Sequence, residues 1–150
     1  MSVDTKIAPK VDNLPHMADM FTSEPSDPTS SFEQSQEALV ARLSELVNTG
    51  PVMLFMKGTP KSPVCRFSRR IVRLLDNHKV LYSTFNVISD EDVRQGLKWF
   101  GEWPTFPQLW VNGELVGGLD IVREEFNTKP NYLSEHTVED DVAFKHGQRI

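Results

Sequence analysis

The hydrophobic positions of the chain change their period along the sequence. Leu39, Leu43 and Leu46 recur at the spacing of one helix face, and a Gly-Pro pair ends this pattern. The five residues over 52–56 are all apolar and lie between turns that contain glycine and proline. A continuous apolar run of this length is typical of a strand that is buried on both faces. The pattern therefore predicts a helix followed by a central strand.

Helix and strand patterns alternate through the residues that follow. They predict a helix after Cys65, a strand over 81–87, a helix after the acidic run 89–92 and a short helix over 120–127. Asn112 and Gly113 separate two short apolar runs, which is a strong hairpin signal. Because a helix joins the first two strands, they should be parallel. The sequence therefore predicts an α/β fold, a thioredoxin-like four-stranded mixed sheet with helices on both faces.

Composition sets the expected limits of the ordered domain. Residues 1–30 are rich in Ser, Thr and Pro and bury too little apolar surface to offset their ordering entropy, so we expect a flexible tail there. A capping-box pattern begins at Ser31. Pro130 interrupts the last helix, since proline is poorly tolerated inside helices. We therefore predict a domain over 31–127 and a mobile C-terminal tail over 128–150.

Charge and cysteine content restrict the possible partners and compartments. The chain of 150 residues has a formal net charge of −5 and no block of like charge, whereas nucleic acids and anionic membranes require a basic surface. No apolar run approaches the roughly 18 residues of a membrane span. The single cysteine excludes an intramolecular disulfide, and the N-terminus resembles neither a transit peptide nor a secretory signal. We therefore expect neither nucleic acid nor membrane as a partner, and a cytoplasmic location with the nucleus as a second one.

Cys65 is the first candidate for chemistry. It follows a predicted strand and loop and opens a predicted helix, whose unpaired N–H groups and dipole favour the thiolate. Three arginines follow at once and Lys57 ends the preceding strand, so nearby positive charge should lower the thiol pKa further. The alternative is a buried structural cysteine, as free cysteines often are. The position at a loop-to-helix junction favours a working thiol.

Several other residues could bind a polar ligand, but each also has a purely structural explanation. Pro107, just before a predicted strand, suits either a cis peptide bond that exposes the adjoining backbone or an ordinary strand start. Arg94 and Lys98 share one helix face and could bind a carboxylate together with Lys57, although a solvated helix face has the same pattern. Asp120 could hold an ammonium group or serve as a helix N-terminal acid. The four histidines lack metal-ligand spacing, so no zinc site is expected.

Five motifs, taken together, resemble the monothiol glutaredoxin family. In order they are Met-Leu-Phe-Met-Lys-Gly-Thr-Pro at 53–60, Cys-Arg-Phe-Ser at 65–68, Arg-Gln-Gly-Leu-Lys at 94–98, Trp-Pro-Thr-Phe-Pro-Gln-Leu at 103–109 and Gly-Gly-Leu-Asp-Ile at 117–121. The resemblance covers about 52–125 and is nearest to the glutaredoxin modules of the multidomain, PICOT-like members of the cytosol and nucleus. It implies a thioredoxin fold with Cys65 as the catalytic thiol and glutathione as its partner.

At one end of the bound glutathione, the resemblance implies a cationic site. Lys57 and Arg94 would receive the glycine carboxylate, with Lys98 nearby. Phe67, in the Cys-Arg-Phe-Ser motif, would be a binding residue beside the thiol. All four stand at positions that match the family's motifs.

The rest of the tripeptide would be held by backbone groups and one acidic side chain. The resemblance implies that the backbone of Phe106, ahead of a cis Pro107, pairs with the cysteinyl part. It also implies that Leu119 and Asp120 hold the γ-glutamyl end. A ligand role for Pro107 and Asp120 thus comes from the family, since spacing alone left it open.

The resemblance also implies a metal cluster. In this family two subunits can hold a 2Fe-2S cluster between two protein thiolates, here those of Cys65, and two glutathione thiolates, which together supply four thiolates. The assembly would be a cluster-bridged homodimer or a heterodimer with a BolA-like protein in iron handling. Arg66 stands where the family usually has glycine, and its bulk lies where a second subunit would approach. The resemblance therefore implies glutathione binding more firmly than cluster binding.

Three functions follow as expectations. The leading one is a glutathione-dependent protein for iron-sulfur cluster transfer and for iron and redox homeostasis. The second is a weak thiol-disulfide oxidoreductase that removes glutathione from protein thiols through Cys65. The third is a redox-inactive adaptor.

Overall fold

The computed structural model describes residues 26–139 and 142–150. Its helices are α1 (Ser26–Val47), α2 (Arg66–Asn77), α3 (Glu91–Phe100) and α4 (Leu119–Thr128). Its strands are β1 (Val52–Met56), β2 (Ser83–Asn86), β3 (Gln108–Val111) and β4 (Glu114–Gly117), followed by the short pair β5 (Phe144–Lys145) and β6 (Gln148–Arg149). No helix in this part of the chain is long and apolar enough to cross a bilayer.

The first helix begins earlier than the capping-box pattern at Ser31 predicts. It starts at Ser26 and includes Pro28 in its first turn. Proline is tolerated there because the N–H groups of a first turn have no intrahelical partner. The rest of the predicted flexible tail, residues 1–25, lies outside the described residues.

The main sheet has the strand order β2-β1-β3-β4. β1 pairs with β2 in parallel and with β3 in antiparallel, so that Leu54 lies between Thr84 and Leu109. β3 and β4 form the predicted hairpin, and its turn residues Asn112 and Gly113 have φ angles of 53° and 80°. Two consecutive positive φ angles are the geometry that Asn-Gly hairpin turns adopt. The predicted four-stranded mixed sheet is confirmed.

Core packing on both faces of the sheet explains the continuous apolar run of β1. Leu54 packs with residues of α2 and α4 on one face, and Phe55 packs with residues of α1 and α3 on the other. Both side chains are fully buried. Burial of a side chain of this size contributes about 1.5–3 kcal/mol. The strand therefore holds both helical layers and fixes the position of the loop that follows it.

The C-terminal segment differs from the mobile tail predicted over 128–150. α4 ends at Thr128, ahead of the proline, but the chain then returns to the residues that precede β2. The backbone N–H of Leu81 donates to the carbonyl of His136 (2.6 Å), and that of Tyr82 donates to the carbonyl of Gly147 (3.0 Å). The segment also contributes two buried apolar side chains, Leu133 and Val138. These contacts are too widely spaced along the chain to give a periodic pattern in the sequence. The end of the independently folding domain, expected at residue 127, stays a prediction.

Candidate functional site

Cys65 lies immediately before α2, as its N-cap residue, and is partly exposed. Burial alone raises the pKa of its thiol, but hydrogen bonds from the backbone N–H groups of Ser68 and Phe67, the Ser68 hydroxyl and the charge of Lys57 lower it. The resulting pKa is below the ordinary value of a cysteine. Thiolate is the nucleophilic and metal-binding form of cysteine. The structure therefore places an activated thiol at the start of this helix, as the sequence predicted.

The loop between β1 and α2 is held by its own hydrogen bonds. The backbone N–H of Val64 donates to the carbonyl of Lys57 (3.1 Å), and the backbone N–H of Lys57 donates to the hydroxyl of Ser68 (3.1 Å). Gly58 has a φ angle of 93°, and a Cβ atom there would lie 2.6 Å from the carbonyl oxygen of Ser62. This position requires glycine. The loop thus fixes Lys57 and the thiol at the same edge of the sheet.

The segment before β3 brings a second backbone stretch to the site. The Phe106–Pro107 peptide bond is cis, as the resemblance implied. Gln108 is fully buried, and its side-chain amide donates to the carbonyl of Trp103 (3.1 Å) and accepts from the indole N–H of Trp110 (3.0 Å). These bonds tie the segment to the core. The backbone at Phe106 is therefore held in place next to the start of α2.

α3 carries the cationic residues predicted to bind a carboxylate. Arg94 and Lys98 lie one helical turn apart and are both partly exposed. The guanidinium of Arg94 forms an ion pair with Glu91, whose other carboxylate oxygen accepts from Gln95 (2.9 Å). The Gln95 amide and the Arg94 guanidinium both lower the pKa of Glu91. A ligand carboxylate at Arg94 must therefore share this guanidinium with Glu91 or displace it.

The turn between β4 and α4 forms the other end of the site. Gly117 has a φ angle of 142°, and a Cβ atom there would lie 2.9 Å from that of Ile121. Leu119 is buried, whereas the carboxylate of Asp120 is 92% exposed and pairs with Arg123 at 3.3 Å. An acidic side chain thus points to solvent in the first turn of α4, where its charge also suits the helix dipole.

One groove of about 530 Å³ brings all the predicted site residues together. They are Lys57, Cys65, Phe67, Arg94, Lys98, Phe106, Pro107, Leu119 and Asp120. Of its three cations, Arg94 and Lys98 lie on α3 and Lys57 directly follows β1, and one carboxylate, that of Asp120, lies on α4. This polarity suits a ligand that carries a carboxylate at one end and an ammonium group at the other.

Sequence reasoning missed several residues that also line the groove. They are Trp103, Pro104, Thr105, Gly118 and Ile121. All of them fall inside motifs quoted above, at 103–109 and 117–121, so their position in these motifs was the available signal. The indole N–H of Trp103 is buried and has no hydrogen-bond partner among the described residues.

Arg66 does not line the groove. Its guanidinium lies over the ring of Phe67, 5.6 Å from the ring centroid, and its side chain is exposed. A cation placed over an aromatic face in this way is weakly attracted to it. The residue that replaces the family's glycine is therefore held beside the groove mouth.

The described residues do not group potential metal ligands into a site. Over 26–139 and 142–150, no group of three or more His, Cys, Asp or Glu side chains is placed to hold a metal ion. Cys65 is thus the sole thiolate that this chain could bring to a cluster.

Comparisons with known proteins agree with the fold. The family model described as Glutaredoxin matches residues 52–116. Monothiol glutaredoxin-4 of Schizosaccharomyces pombe is 60% identical over 83 residues, which cover 55% of this chain and 34% of that protein. The solution structure of reduced poplar apo GrxS14 is 41% identical with a TM-score of 0.53, and the match covers 65% of this chain and 87% of that one. A crystal structure of a buckwheat glutaredoxin-glutathione complex is 25% identical with a TM-score of 0.56, over 69% and 89% of the two chains.

The mixed sheet, the thiol at a helix start and the cis proline define a thioredoxin-like α/β fold with a groove beside the thiol. The matches in sequence and structure show that this chain belongs to the monothiol glutaredoxin family. It spans between 17% and 40% of the length of the curated relatives that are named monothiol glutaredoxins.

Proposed function

We propose that the groove binds glutathione with its thiol beside Cys65. The main observation is that every predicted binding residue lines one groove together with Cys65, whose thiol has a lowered pKa. Family membership and the glutathione complex of the buckwheat relative support it.

The charges of glutathione match those of the groove. Its glycine carboxylate would contact Lys57, Arg94 and Lys98, and its γ-glutamyl ammonium group would contact Asp120. The cysteinyl part would pair with the backbone at Phe106. A hydrogen bond to a charged group typically contributes about 1.5–3 kcal/mol, so loss of one such contact should be measurable as a change in affinity.

Calorimetric titration with reduced glutathione tests this assignment. Arg94→Ala should raise the Kd about tenfold or more, because it removes a charge-assisted contact to the carboxylate. Arg149→Ala is the matched control, since Arg149 is exposed on β6 and does not line the groove. Equal Kd values for both variants and the original chain would contradict the proposed orientation. Absence of glutathione binding to the original chain would favour the redox-inactive adaptor.

We further propose that two subunits bind a 2Fe-2S cluster as cargo for cluster transfer, in a homodimer or with a BolA-like partner. Iron–sulfur clusters generally take four thiolates, so Cys65 from each subunit and two glutathione thiolates would complete the set. The partly exposed sulfur supports this proposal, as does the placement of Arg66 over Phe67 rather than inside the groove. A role in iron and redox homeostasis would follow from cluster transfer, and a location in the cytoplasm or nucleus stays an expectation from the sequence.

Anaerobic reconstitution with iron, sulfide and glutathione tests cluster binding. The expected result is a visible charge-transfer spectrum and a dimer on sizing, both of which require glutathione and are lost in Cys65→Ser. A colourless monomer would contradict the cluster proposal and leave glutathione binding untouched. An Arg66→Gly variant that gained colour under the same conditions would identify Arg66 as the cause.

Deglutathionylation is a second candidate, favoured by the lowered pKa of the thiol. The Cys65 thiolate would attack the glutathione sulfur of a protein–glutathione disulfide, form a Cys65–glutathione disulfide and release the protein thiolate. A second glutathione thiolate would then release Cys65 and leave as oxidised glutathione. A turnover rate no higher than that of Cys65→Ser would exclude this activity.

A further inference from the structure

Four arginines lie on the exposed side of α2, next to the thiol. They are Arg66, Arg69, Arg70 and Arg73, here called the arginine stripe, and all four are exposed. Residues three or four apart share a helix face, so the arginine stripe follows the helix from the turn that Cys65 opens. At 1.5 Å per residue its backbone spans about 10 Å. None of the four lines the groove described above.

The positive charge of the arginine stripe is not balanced within the described part of the chain. No described carboxylate forms an ion pair with any of the four guanidinium groups. The acidic residue of the same helix, Asp76, instead accepts from the Tyr82 hydroxyl (2.9 Å) and lies 2.8 Å from the His146 ring. A helix face whose charges alternate in sign is typical of a solvated surface with internal ion pairs, whereas the arginine stripe carries one sign only. Four guanidinium groups without a carboxylate partner in the described residues, on a chain of net charge −5, therefore indicate a site for an external anion.

Exposed apolar side chains lie at the thiol end of the arginine stripe. Val64 is 66% exposed and Phe67 is 47% exposed, and they flank Cys65 in the sequence. Arg69 reaches back towards this end, with its guanidinium 3.5 Å from the carbonyl oxygen of Pro63. Protein interfaces combine apolar contacts with arginine, whose planar group binds carboxylates through two hydrogen bonds. This combination favours a protein partner. A nucleic acid is disfavoured because its binding calls for a basic domain, whereas the sequence pI here is about 5.3.

We propose that the arginine stripe docks an acidic segment of a partner protein along α2, so that the partner's surface also covers Val64 and Phe67. The partner chemistry is a run of glutamate or aspartate residues next to an apolar side chain. The four arginines lie outside the groove, and of the residues that the partner covers only Phe67 also lines it. Arg66, which replaces the family's usual glycine, extends the arginine stripe to the residue directly after the thiol.

The proposal is tested on the full chain with a glutamate-rich peptide that contains one leucine. Its control is the same peptide with glutamine in place of glutamate. The glutamate peptide should bind and perturb NMR signals of α2, and its Kd should rise several-fold between about 50 and 500 mM salt, because exposed charges are screened. The glutamine peptide should bind at least about fivefold more weakly.

Charge reversal locates the site. The double variant Arg70→Glu/Arg73→Glu should weaken the binding of the glutamate peptide about fivefold or more, since two ion pairs are replaced by repulsion. Arg149→Glu, a single reversal on the exposed strand β6, should change the Kd less than twofold. Glutathione affinity should be unchanged in the double variant, which separates this site from the groove and shows that the variant is folded.

Three results would overturn the proposal. One is equal binding of the glutamate and glutamine peptides. Another is an equal effect of the double variant and of Arg149→Glu. The third is tighter binding of a DNA duplex than of the glutamate peptide, with the DNA binding lost in the double variant. The arginine stripe would then be a nucleic-acid site.

Discussion

The sulfur of Cys65 carries the proposed chemistry, and its neighbours set its acidity. Backbone N–H groups at the start of α2, the Ser68 hydroxyl and Lys57 outweigh burial and hold the thiol pKa below its ordinary value. A thiol whose pKa is lower in the folded than in the unfolded chain stabilises the fold above the unfolded pKa. That contribution is lost as the pH falls through the folded pKa.

Ser68→Ala should raise the pKa of Cys65, because the thiolate loses a hydrogen bond. The pH dependence of the rate of alkylation by iodoacetamide measures this pKa directly. Ser62→Ala is the control, since Ser62 lies in the loop that precedes α2 and does not contribute to the thiol pKa. A midpoint for Ser68→Ala equal to that of the original chain would contradict the assigned role of the hydroxyl.

Glu91 competes with a ligand carboxylate for Arg94, so Glu91→Gln should tighten glutathione binding. Exposed ion pairs are weak, so the expected gain in affinity is modest, up to about fivefold. Calorimetry on Asp92→Asn supplies the control, because Asp92 is exposed on the same turn and does not pair with Arg94. Weaker binding by Glu91→Gln than by Asp92→Asn would mean that Glu91 orients Arg94 for the ligand instead.

The loop between β1 and α2 determines where the thiol and Lys57 lie relative to each other. Its shape depends on one backbone conformation, that of Gly58. The sequence marked this loop by its Gly-Thr-Pro residues, and a positive φ at glycine is consistent with that signal. The hydrogen bond from the Gly58 N–H to the Asn86 side chain (2.9 Å) joins residues that are 28 positions apart, and local pattern cannot reveal such a contact.

Gly58→Ala should destabilise the domain by about 2 kcal/mol, because alanine is strained at positive φ and its Cβ would collide with the loop backbone. Urea unfolding measures the change. Gly50→Ala is a suitable control, since its added Cβ would lie 3.5 Å from the Ser83 hydroxyl oxygen in ordinary contact. Similar stabilities for the two variants would contradict the geometry of the loop.

Sequence pattern was sufficient for the elements of the sheet but not for the contacts of the C-terminal segment. The apolar run of β1 and the Asn-Gly turn have strong local signals, and their pairing follows from the crossover rule. The candidate residues that the groove brings together came from motifs matched to a family, whereas spacing alone left Asp120 and Pro107 open. The placement of Arg66 over Phe67 depends on rotamers, which sequence does not specify.

In the whole molecule, the C-terminal segment makes contacts that the sequence did not predict. It reaches the sheet through isolated contacts, among them a bridge between Val80 and Thr137 and the hydrogen bond from Gln148 to the Tyr82 carbonyl (2.8 Å). Each contact depends on the tertiary arrangement and not on a local period. The segment thus covers residues next to the edge strand β2, a place where unpaired backbone groups would otherwise be exposed.

Leu133→Ala tests whether this segment stabilises the domain. Leu133 is 8% exposed and belongs to the core cluster under β1, so its truncation should cost about 2 kcal/mol or more in urea unfolding. Ile150→Ala is the control, because Ile150 is 80% exposed. If the two variants were equally stable, the segment would be the mobile tail that the sequence predicted.

Glutathione binding in the groove beside Cys65 is the central claim, and an NMR titration of the isotopically labelled chain with reduced glutathione tests it most directly. Saturable shifts are expected at Lys57, Arg94, Phe106 and Asp120, with little change at the exposed Arg149 and Ile150. Shifts confined to surfaces outside the groove, or no saturable shifts at all, would contradict it.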